Sequence, residues 1–405
     1  MAPRSRVVAE GILLVGQSGG PTAVINSSLA GVLYEAARQP AVRAVYGLHH
    51  GIEGLLAEQW QPLDGRDPRL LRRLRATPSA ALGSARHRLR DAEIERALAV
   101  LRRHTVRFLL LIGGNDSADT LERLHRAAAA AGYPLAAVAV PKTIDNDLVA
   151  TDHCPGYGSI ARYIAVATAE AVLDTAAMRR TDPIKLVEVM GRYAGWVAAA
   201  ATLAPLPPGV PPPLVYLPER PVPAEQILAE IEAAYRAHGH ALVVLSENQP
   251  EPAAGGPRVL GAGETPEWVD PFGHPYYPSP AAYLCRRIRA ELGLRARYDK
   301  PGTLQRTARA LVSRVDEREA FAVGRAAVRA AVRGQGGHMV TLVRRGDAPY
   351  RVGTGLAPLA AVANQHRPLP PEFLGPDARV ATTPAFAAYL RPLLGDPLPG
   401  YTALL

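Results

Sequence analysis

Continuous apolar runs alternate along the chain with segments in which apolar residues recur at helical spacing. ILLVG (residues 12–16) and VRFLLLIGG (residues 106–114) have the composition of strands that are buried on both faces. Each run ends in a glycine turn followed by a helix-like segment, and the pattern returns at residues 184–191 and 213–219. Strands that alternate with helices over this length predict an α/β fold with mostly parallel sheets and helices on both faces.

The chain length and one compositional shift suggest how this fold is divided. A chain of 405 residues is long enough for two or three domains, and the repeated pattern predicts two Rossmann-like, three-layer lobes. We assign residues 1–152 and about 316–345 to a larger N-terminal lobe, and residues 153–315 and about 346–405 to a second lobe. Residues 250–280 contain eight prolines and five glycines and are predicted to form an inserted loop.

The overall composition is that of an ordinary soluble globular protein, with 48% hydrophobic and 20% charged residues. Two cysteines, Cys154 and Cys285, are too few for a disulfide scaffold and fit a reducing compartment. The N-terminus has no long apolar core, so no signal peptide is predicted. The most apolar stretch, residues 127–140, is interrupted by GYP and is too short to span a bilayer. A cytoplasmic protein without a membrane partner is therefore expected.

The net charge of +9 has two interpretations, nucleic-acid binding or a chain that is rich in arginine throughout. The second is favoured because no dense basic run with interleaved aromatic residues is present, and a phosphorylated small substrate would also suit a basic protein. Among 46 basic residues only Lys142, Lys185 and Lys300 are lysines. Because the two side chains are not interchangeable, a retained lysine suggests a need for a compact ammonium, although chance could also place three lysines here.

Polar motifs stand where the predicted strands end. They are SGG (residues 18–20), GGNDS (113–117), PKTIDND (141–147), MGR (190–192) and PE (218–219). Ligands of open α/β sheets bind beyond the carboxyl ends of the strands, and a glycine turn at a helix N-terminus offers backbone N–H groups to phosphate. A single glycine turn could merely let the chain reverse, but five polar strand ends together indicate a phosphate-handling site.

In order and separation, these motifs resemble those of the phosphofructokinase family. The resemblance runs from about residue 12 to about residue 345 and includes SGGPTAVINSSLAGV, LIGGNDS, PKTIDND, VEVMGR and LPE. The pair of TIDND and MGR is highly specific, whereas the related NAD kinase superfamily shares a turn like GGND but lacks TIDND. The resemblance implies an active site in the cleft between the lobes, with the donor and catalytic loop on the N-terminal lobe and the sugar phosphate on the second.

The resemblance assigns the catalytic chemistry to TIDND. Asp145 would take the proton from the 1-hydroxyl of the sugar, and Thr143 and Ile144 would contact the substrate, Thr143 also touching the moving phosphoryl group. Asp147 would hold Mg²⁺ together with Asn115, which offers a carbonyl oxygen where an aspartate often stands in the family. Asp145 and Asp147 are two residues apart, so in an extended segment they would point the same way.

Binding of the sugar phosphate is implied for residues further along the chain. Arg192 would hold the sugar phosphate or the transition-state charge, and Glu219 would accept hydrogen bonds from sugar hydroxyls. Arg306, in TLQR, would clamp the 6-phosphate, in many members from a neighbouring subunit, so a homodimer or homotetramer is expected. The same wall and segment add Met190, Gly191 and Thr303. The second arginine of the phosphate site stays open between Arg309, Arg314 and Arg318.

Two departures from the ATP-using members concern the phosphoryl donor. Asp116 and Lys142 stand where those members usually have glycines, in GGDGS and PGTIDND. The carboxylate of Asp116 would oppose the α-phosphate of a nucleotide, whereas the ammonium of Lys142 would neutralise donor phosphates, and both changes resemble the pyrophosphate-dependent branch. Arg86 resembles an arginine that binds the donor phosphates, although taken alone a surface role would be more ordinary. The other implied donor-binding residues are Gly20, Gly114 and Ser117.

These residues predict a reversible phosphoryl transfer from diphosphate to fructose 6-phosphate, which gives fructose 1,6-bisphosphate and phosphate in glycolysis or gluconeogenesis. Lys142, Thr143, Asp145 and Arg192 are the predicted catalytic residues, and Mg²⁺ is the predicted cofactor. Two alternatives remain open: an ATP-dependent 6-phosphofructokinase, and a non-catalytic relative that senses phosphate or binds nucleic acid.

Overall fold

The computed structural model describes residues 10–262, 266–271, 273 and 275–404. The chain divides into two compact units. The first unit contains the residues up to Thr143, Asp147–Gly156 and Arg314–His366. The second contains Ile144–Asn146, Tyr157–Ser313 and the residues from Arg367 onward.

Strands and helices alternate along the chain, which confirms the expected α/β class. The strands are β1 (Gly11–Gln17), β2 (Val42–Leu48), β3 (Trp60–Pro62), β4 (Val106–Gly113), β5 (Ala136–Pro141), β6 (Ile184–Val189), β7 (Leu214–Tyr216), β8 (Ala241–Ser246), β9 (Pro250–Glu251), β10 (Arg258–Val259), β11 (Trp268–Val269), β12 (Pro275–Tyr276), β13 (Ala296–Asp299), β14 (His338–Asp347) and β15 (Tyr350–Pro358). The α-helices are α1 (Ile25–Ala36), α2 (Ile52–Ala57), α3 (Pro68–Ala76), α4 (Asp91–Arg103), α5 (Asn115–Ala130), α6 (Tyr157–Ala177), α7 (Trp196–Ala199), α8 (Ala224–His238), α9 (Pro280–Arg287), α10 (Thr303–Thr307), α11 (Arg314–Val332), α12 (Leu359–Val362) and α13 (Pro384–Leu390). Across the described residues, no helix has the length and apolar character that a membrane span requires.

The first unit is built on a seven-stranded sheet in the order β15–β14–β5–β4–β1–β2–β3. The five strands from β14 to β2 pair in parallel, and the edge strands β15 and β3 run antiparallel to their neighbours. Strand β4 is a continuous apolar run because both faces are buried: Leu109 and Leu111 join one hydrophobic cluster, Phe108 and Leu110 the other. The carboxyl ends of β1, β4 and β5 therefore lie side by side.

Two helices of the first unit approach each other closely through glycines. A Cβ atom on Gly31 of α1 would lie 2.1 Å from the carbonyl oxygen of Phe321 in α11. A Cβ atom on Gly324 of α11 would lie 2.1 Å from the carbonyl oxygen of Ser28. Such contacts leave no room for a side chain, so the two glycines allow α11 to pack closely against α1. Helix α11 thus returns to the first unit after a long segment that belongs to the second.

The first unit extends further along the chain than the sequence predicted. Strand β15 pairs with β14 from Tyr350, opposite Asp347, to Pro358, opposite His338. The predicted boundary at about residue 345 falls inside β14. A hairpin partner that donates ladder hydrogen bonds along its length stays with its sheet, and the first unit ends at His366.

The second unit contains a smaller parallel sheet of four strands in the order β13–β6–β8–β7. Its core combines apolar side chains of these strands with those of α8 and α9: Ile184, Leu186, Val243, Leu245, Ile227, Ile231, Ala281 and Leu284. Strand β6 ends immediately before MGR, and β7 ends one residue before PE. The polar motifs of this unit are thus also placed by strand ends.

The proline- and glycine-rich stretch 250–280 belongs to the second unit. It contains two short antiparallel pairs, β9 with β10 and β11 with β12. The rings of Trp268 and Tyr276 pack with their centroids 4.8 Å apart. Residues 263–265, 272 and 274 of the predicted insertion lie outside the described residues.

Candidate active site

The ammonium of Lys142 is buried against the first glycine turn. Lys142 follows β5 directly and is only 3% exposed. Its Nζ donates to the carbonyl oxygen of Gly20 at 2.9 Å, and a Cβ atom on Gly19, which has a φ of +73°, would lie 3.2 Å from Nζ. A compact positive charge therefore lies beside a turn whose backbone N–H groups suit phosphate.

Backbone hydrogen bonds join the polar turns that follow β1, β4 and β5. The N–H of Lys142 donates to the carbonyl oxygen of Gly113 at 3.0 Å, and the N–H of Ser18 donates to that of Ile112 at 3.0 Å. The three strand ends thus form one continuous surface within the first unit, and SGG, GGNDS and the start of PKTIDND meet there as predicted.

The loop that carries Arg86 is fixed to the same turn. Gly19 donates its N–H to the carbonyl oxygen of Ala85 at 3.2 Å, and Ser84 Oγ donates to the carbonyl oxygen of Gly19 at 2.6 Å. Arg86 follows Ala85 in the chain and is partly buried. Its backbone therefore begins beside the turn that Lys142 contacts.

Helix α5 begins at the second glycine turn, with Gly114 as its N-cap residue. A Cβ atom on Gly113 would lie 1.9 Å from Ser117 Oγ, so only glycine allows the buried Ser117 to fold back under the turn. Asp116 lies in the first helical turn. The N-terminus of a helix attracts anions, and the carboxylate of Asp116 opposes any further negative group that is brought close to it.

The two predicted metal ligands share a neighbour, His366, that sequence reasoning missed. His366 Nδ1 lies 3.1 Å from Asn115 Nδ2 and 3.1 Å from Asp147 Oδ2. The adjacent segment is held on α5, because Asn364 Nδ2 donates to Asp119 Oδ1 at 2.9 Å. No sequence signal pointed to His366, which lies beyond the stretch that carries the family motifs.

The donor atoms at Asn115 and Asp147 fit a hard divalent cation. Asn115 Oδ1 is buried and has no hydrogen-bond partner among the described residues, and Asp147 supplies a carboxylate. Within the same part of the chain, no group of three or more His, Cys, Asp and Glu side chains is arranged to hold a metal. Two protein oxygens therefore suit Mg²⁺, which keeps several waters and binds substrate phosphates as further ligands.

TIDND is bent rather than extended. Residues 144–145 form a bend, and Asn146 has a φ of +54°. The segment is therefore not extended. The prediction that Asp145 and Asp147 point the same way assumed an extended segment and is wrong in that assumption. Thr143, at the start of the motif, donates its N–H to the carbonyl oxygen of Pro155 at 3.2 Å, and Ile144 is buried.

Glu219 of the second unit is held by one of its two carboxylate oxygens. Oε1 accepts hydrogen bonds from the N–H groups of Gly195 and Leu369, both at 2.7 Å. Burial raises the pKa of Glu219, although these two donors oppose the shift. Oε2 is buried without a partner in the described chain. A free carboxylate oxygen in this position can accept a hydrogen bond from a sugar hydroxyl.

Arg192 lies on the side chain of Tyr276, which comes from the predicted insertion. Its guanidinium is 4.4 Å from the Tyr276 ring centroid and donates to the Tyr276 hydroxyl. Two carboxylates are also near: Glu247 Oε1 is 3.7 Å from Nε, and Asp270 Oδ2 is 3.9 Å from Nη2. Sequence reasoning identified the arginine but none of these partners.

The TLQR segment is anchored to the MGR wall. Gln305 is buried and its Oε1 accepts from the N–H of Met190 at 3.3 Å, while Gly191, with a φ of +108°, accepts through its carbonyl from Ser246 Oγ. Thr303 begins α10, and Arg306 lies one residue after Gln305. The wall and the predicted phosphate clamp are therefore parts of one local structure.

The three lysines occupy different environments. Lys185 pairs with Asp174 at 2.5 Å on the surface of the second unit. Lys300, which lies just before the TLQR segment, pairs at 2.6 Å with Glu188, whose side chain is fully buried. Lys142 alone of the three lies beside the glycine turn at the end of β1. Its role as a donor contact stays a prediction, whereas Lys185 is engaged in an ion pair with Asp174.

Comparisons with known proteins agree with the motifs. The family model described as phosphofructokinase matches residues 12–331, and the chain belongs to the phosphofructokinase family, as predicted. It is 42% identical to a pyrophosphate–fructose 6-phosphate 1-phosphotransferase of Xanthomonas campestris, covering 98% of this chain and 97% of the relative. A protein of the same name from Halomonas elongata is 39% identical, with 95% and 92% covered.

A solved structure of similar extent also resembles the chain. The crystal structure of a pyrophosphate-dependent phosphofructokinase from Nitrosospira multiformis matches with a TM-score of 0.83 and 36% identity. The match covers 97% of this chain and 94% of that one. The family resemblance therefore extends over the whole fold, including the C-terminal segment in which no motif was noted.

Proposed function

We propose that this protein transfers a phosphoryl group from diphosphate to the 1-hydroxyl of fructose 6-phosphate, giving fructose 1,6-bisphosphate and phosphate. The observation that carries the proposal is the buried ammonium of Lys142, 2.9 Å from the carbonyl oxygen of Gly20 at the glycine turn. Relatives named pyrophosphate–fructose 6-phosphate 1-phosphotransferase support it, because they are similar to this chain over nearly its full length. The reaction is readily reversible, because the phosphate bonds broken and formed are closer in energy than with ATP.

The first unit binds the donor. Lys142 and the N–H groups of the two glycine turns neutralise the charge of diphosphate, and Arg86 adds a second cation. Asp116 at the start of α5 excludes a donor that needs room for an α-phosphate there. Diphosphate, which ends where a nucleotide would continue, avoids this conflict.

The second unit binds and activates the acceptor. Arg192 and Arg306 hold the phosphate of fructose 6-phosphate, and Glu219 Oε2 accepts from a sugar hydroxyl. Asp145 takes the proton of the 1-hydroxyl as its oxygen attacks the terminal phosphorus. The bond from that phosphorus to the bridging oxygen breaks, and phosphate leaves with the electron pair. Thr143 contacts the moving phosphoryl group.

Mg²⁺ is the proposed cofactor, held by Asn115 Oδ1 and the carboxylate of Asp147. When bound, it neutralises charge on the phosphate oxygens. Asn115 carries no charge, so the protein contributes one negative ligand and leaves more of the cation's charge for diphosphate. His366 Nδ1 lies within hydrogen-bond distance of both side chains and bonds to one of them at a time, because it either accepts from Asn115 Nδ2 or donates to Asp147 Oδ2.

The proposal includes a homo-oligomer in which Arg306 contributes to the 6-phosphate site of a neighbouring subunit. It also includes a cytoplasmic role in glycolysis or gluconeogenesis. The oligomer and the metabolic role come from the family resemblance, and the cytoplasmic location comes from the low cysteine content. A stable monomer that keeps full activity on dilution would argue against the shared site. Sedimentation analysis alongside activity over a range of protein concentrations makes this test.

Purified protein assayed with fructose 6-phosphate, Mg²⁺ and either diphosphate or ATP tests the proposed function. We expect fructose 1,6-bisphosphate to form with diphosphate, and the reverse reaction to proceed when phosphate and fructose 1,6-bisphosphate are supplied. Turnover with ATP alone would support the ATP-dependent alternative. Salt-dependent DNA binding without turnover would support the non-catalytic one.

A further inference from the structure

Asn146 stands between the proposed base and a proposed metal ligand in an unfavourable backbone conformation. It is fully buried and its φ is +54°. Asparagine tolerates this left-handed region better than most residues, but the conformation persists only where the surroundings hold it. Two side chains of the C-terminal segment, Arg367 and Tyr389, do so.

Arg367 binds the backbone of Asn146 through two nitrogens on one edge of its guanidinium. Nη2 donates to the Asn146 carbonyl oxygen at 2.9 Å and Nε donates to the same oxygen at 3.3 Å. This carbonyl belongs to the peptide bond that joins Asn146 to Asp147. The two hydrogen bonds therefore fix the orientation of this peptide plane at Asn146. The orientation of the chain on the other side of Asn146, where Asp145 lies, is fixed with it.

The guanidinium of Arg367 is itself fixed on an aromatic surface. It lies 4.7 Å from the ring centroid of Trp196, and Trp196 Nε1 donates to the carbonyl oxygen of Arg367 at 3.1 Å. Trp196 is 1% exposed and begins α7, four residues after Arg192. A planar guanidinium can stack on an indole while it donates two hydrogen bonds, and an ammonium cannot reproduce both contacts.

Tyr389 binds the side chain of the same residue. Asn146 Nδ2 donates to the Tyr389 hydroxyl at 3.0 Å. The Tyr389 ring packs on Trp196, with centroids 5.5 Å apart, and on Phe373, with centroids 5.2 Å apart. The hydroxyl is therefore held in place by the packing of its ring, and Asn146 is bound at two points by residues that share the Trp196 surface.

We propose that Arg367 and Tyr389 are positioning residues for phosphoryl transfer, which hold Asn146 in its left-handed conformation and thereby place the Asp145 carboxylate for proton abstraction. The proposal rests on the proposed function, because Asp145 is the base only in that reaction. Neither residue contacts the substrate in this account. The family motifs end before both of them, and nothing in their local sequence indicates the role.

Substitution of Arg367 tests the backbone contact. We expect R367M to lower kcat by about 10²-fold, the loss typical of a slightly misplaced catalytic group, with the KM values for diphosphate and fructose 6-phosphate within about threefold of wild type. R367K keeps the charge but loses the paired donors, so its kcat should lie between those of R367M and wild type. Exposed Arg391 of the same segment gives the matched control, R391M, with wild-type kcat.

Substitution of Asn146 and Tyr389 separates the two contacts. Glycine accepts a positive φ without strain, so N146G removes the side chain that donates to Tyr389 without straining the backbone. Its kcat should fall by about three- to tenfold, as in Y389F. N146A should lose more, because it also strains the backbone. In the N146G background Y389F should have no further effect, whereas R367M should keep its full effect because its acceptor is the carbonyl oxygen.

Three results would overturn the proposal while leaving the proposed function intact. One is an R367M variant that keeps wild-type kcat. Another is a loss in R367M that appears in KM alone. The third is full additivity of Y389F and N146G. If R367M does not fold, as judged by thermal unfolding, the double-mutant cycle of N146G and Y389F still tests the proposal. A wild-type protein without turnover on diphosphate would contradict the proposed function instead.

Discussion

The proposed donor side in the first unit and the proposed acceptor side in the second are built in different ways. On the donor side, Lys142, the glycine turns and Asp116 lie in short motifs at adjacent strand ends, joined by backbone hydrogen bonds. On the acceptor side, Arg192 and Glu219 depend on residues far along the chain, such as Tyr276 and Leu369. Diphosphate would be bound by positive charge and by backbone N–H groups that the turns hold in place. A sugar phosphate would be bound by side chains that approach it from several directions.

This difference predicts where substitutions act. Changes on the donor side should alter which donor is used and the catalytic step itself. Changes in the distant partners of Arg192 and Glu219 should weaken sugar phosphate binding first. The proposed base, Asp145, acts directly on the reacting hydroxyl, so its loss should show the largest effect on catalysis.

Asp145→Ala should therefore break catalysis most severely. Loss of a general base typically lowers kcat by about 10²–10⁴-fold, while the groups that bind both substrates remain in place. Steady-state kinetics and calorimetric binding of fructose 6-phosphate measure the two effects separately. A variant within threefold of wild-type kcat would remove Asp145 from the role of base.

Lys142→Arg should reduce kcat/KM for diphosphate by about 10²-fold, comparable to the loss of one preorganised donor at a charged centre. The position is 3% exposed, so a larger planar guanidinium cannot take the place of the ammonium beside Gly20. Lys185→Arg is the matched control, since Lys185 forms a surface ion pair with Asp174 and exchange there should change the rate by less than about twofold. Equal activity of the two variants would contradict the donor-side account.

Tyr276→Ala should act on the acceptor side and raise the KM for fructose 6-phosphate by about fivefold. The expected size follows from a cation–π contact, worth about 1 kcal/mol when partly desolvated, between Tyr276 and Arg192. Tyr276→Phe keeps the ring and should lose less. The KM for diphosphate should not change in either variant, and a rise in that value instead would show that the two sides are not separable in this way.

The smallest effect on activity is expected at His153, a buried residue of the first unit that is not among the proposed donor-binding residues. Its Nδ1 lies 2.7 Å from Asp152 Oδ1 and its Nε2 lies 2.6 Å from Glu319 Oε2. Burial lowers the pKa of His153, but these carboxylates outweigh it and raise the pKa to about 9. The charged histidine therefore contributes stability that is fully present below its unfolded pKa of about 6.5 and is lost as the pH rises through about 9.

Thermal unfolding measured between pH 6 and pH 10 checks this assignment. The melting temperature of the wild type should fall across the upper part of that range, and His153→Gln should be less stable at pH 7 and lose most of the pH dependence. Activity at pH 7 should stay close to wild type where the variant remains folded. A wild-type melting temperature that rises from pH 7 to pH 9 would contradict the proposed charge state.

The same contrast explains what could be predicted from the sequence. The α/β class and the strand ends with their polar motifs were accessible because each is encoded within a few consecutive residues. Tyr276, His366, Arg367 and Tyr389 were not, since their contacts join positions 84 to 251 residues apart and no periodicity marks them. The bend at Asn146 was missed for a related reason: its positive φ is imposed by distant side chains.

The most direct test of the central claim is the ratio of kcat/KM for diphosphate to kcat/KM for ATP, measured in wild type and in the double variant D116G/K142G. Lys142→Gly alone should lose diphosphate activity and gain little with ATP, and Asp116→Gly alone should admit ATP measurably. The account predicts a wild-type ratio well above one and a fall of at least about 10³-fold in the double variant, the combined effect of losing a donor-side cation and an opposing carboxylate. A wild type that prefers ATP, or a ratio unchanged in the double variant, would contradict it.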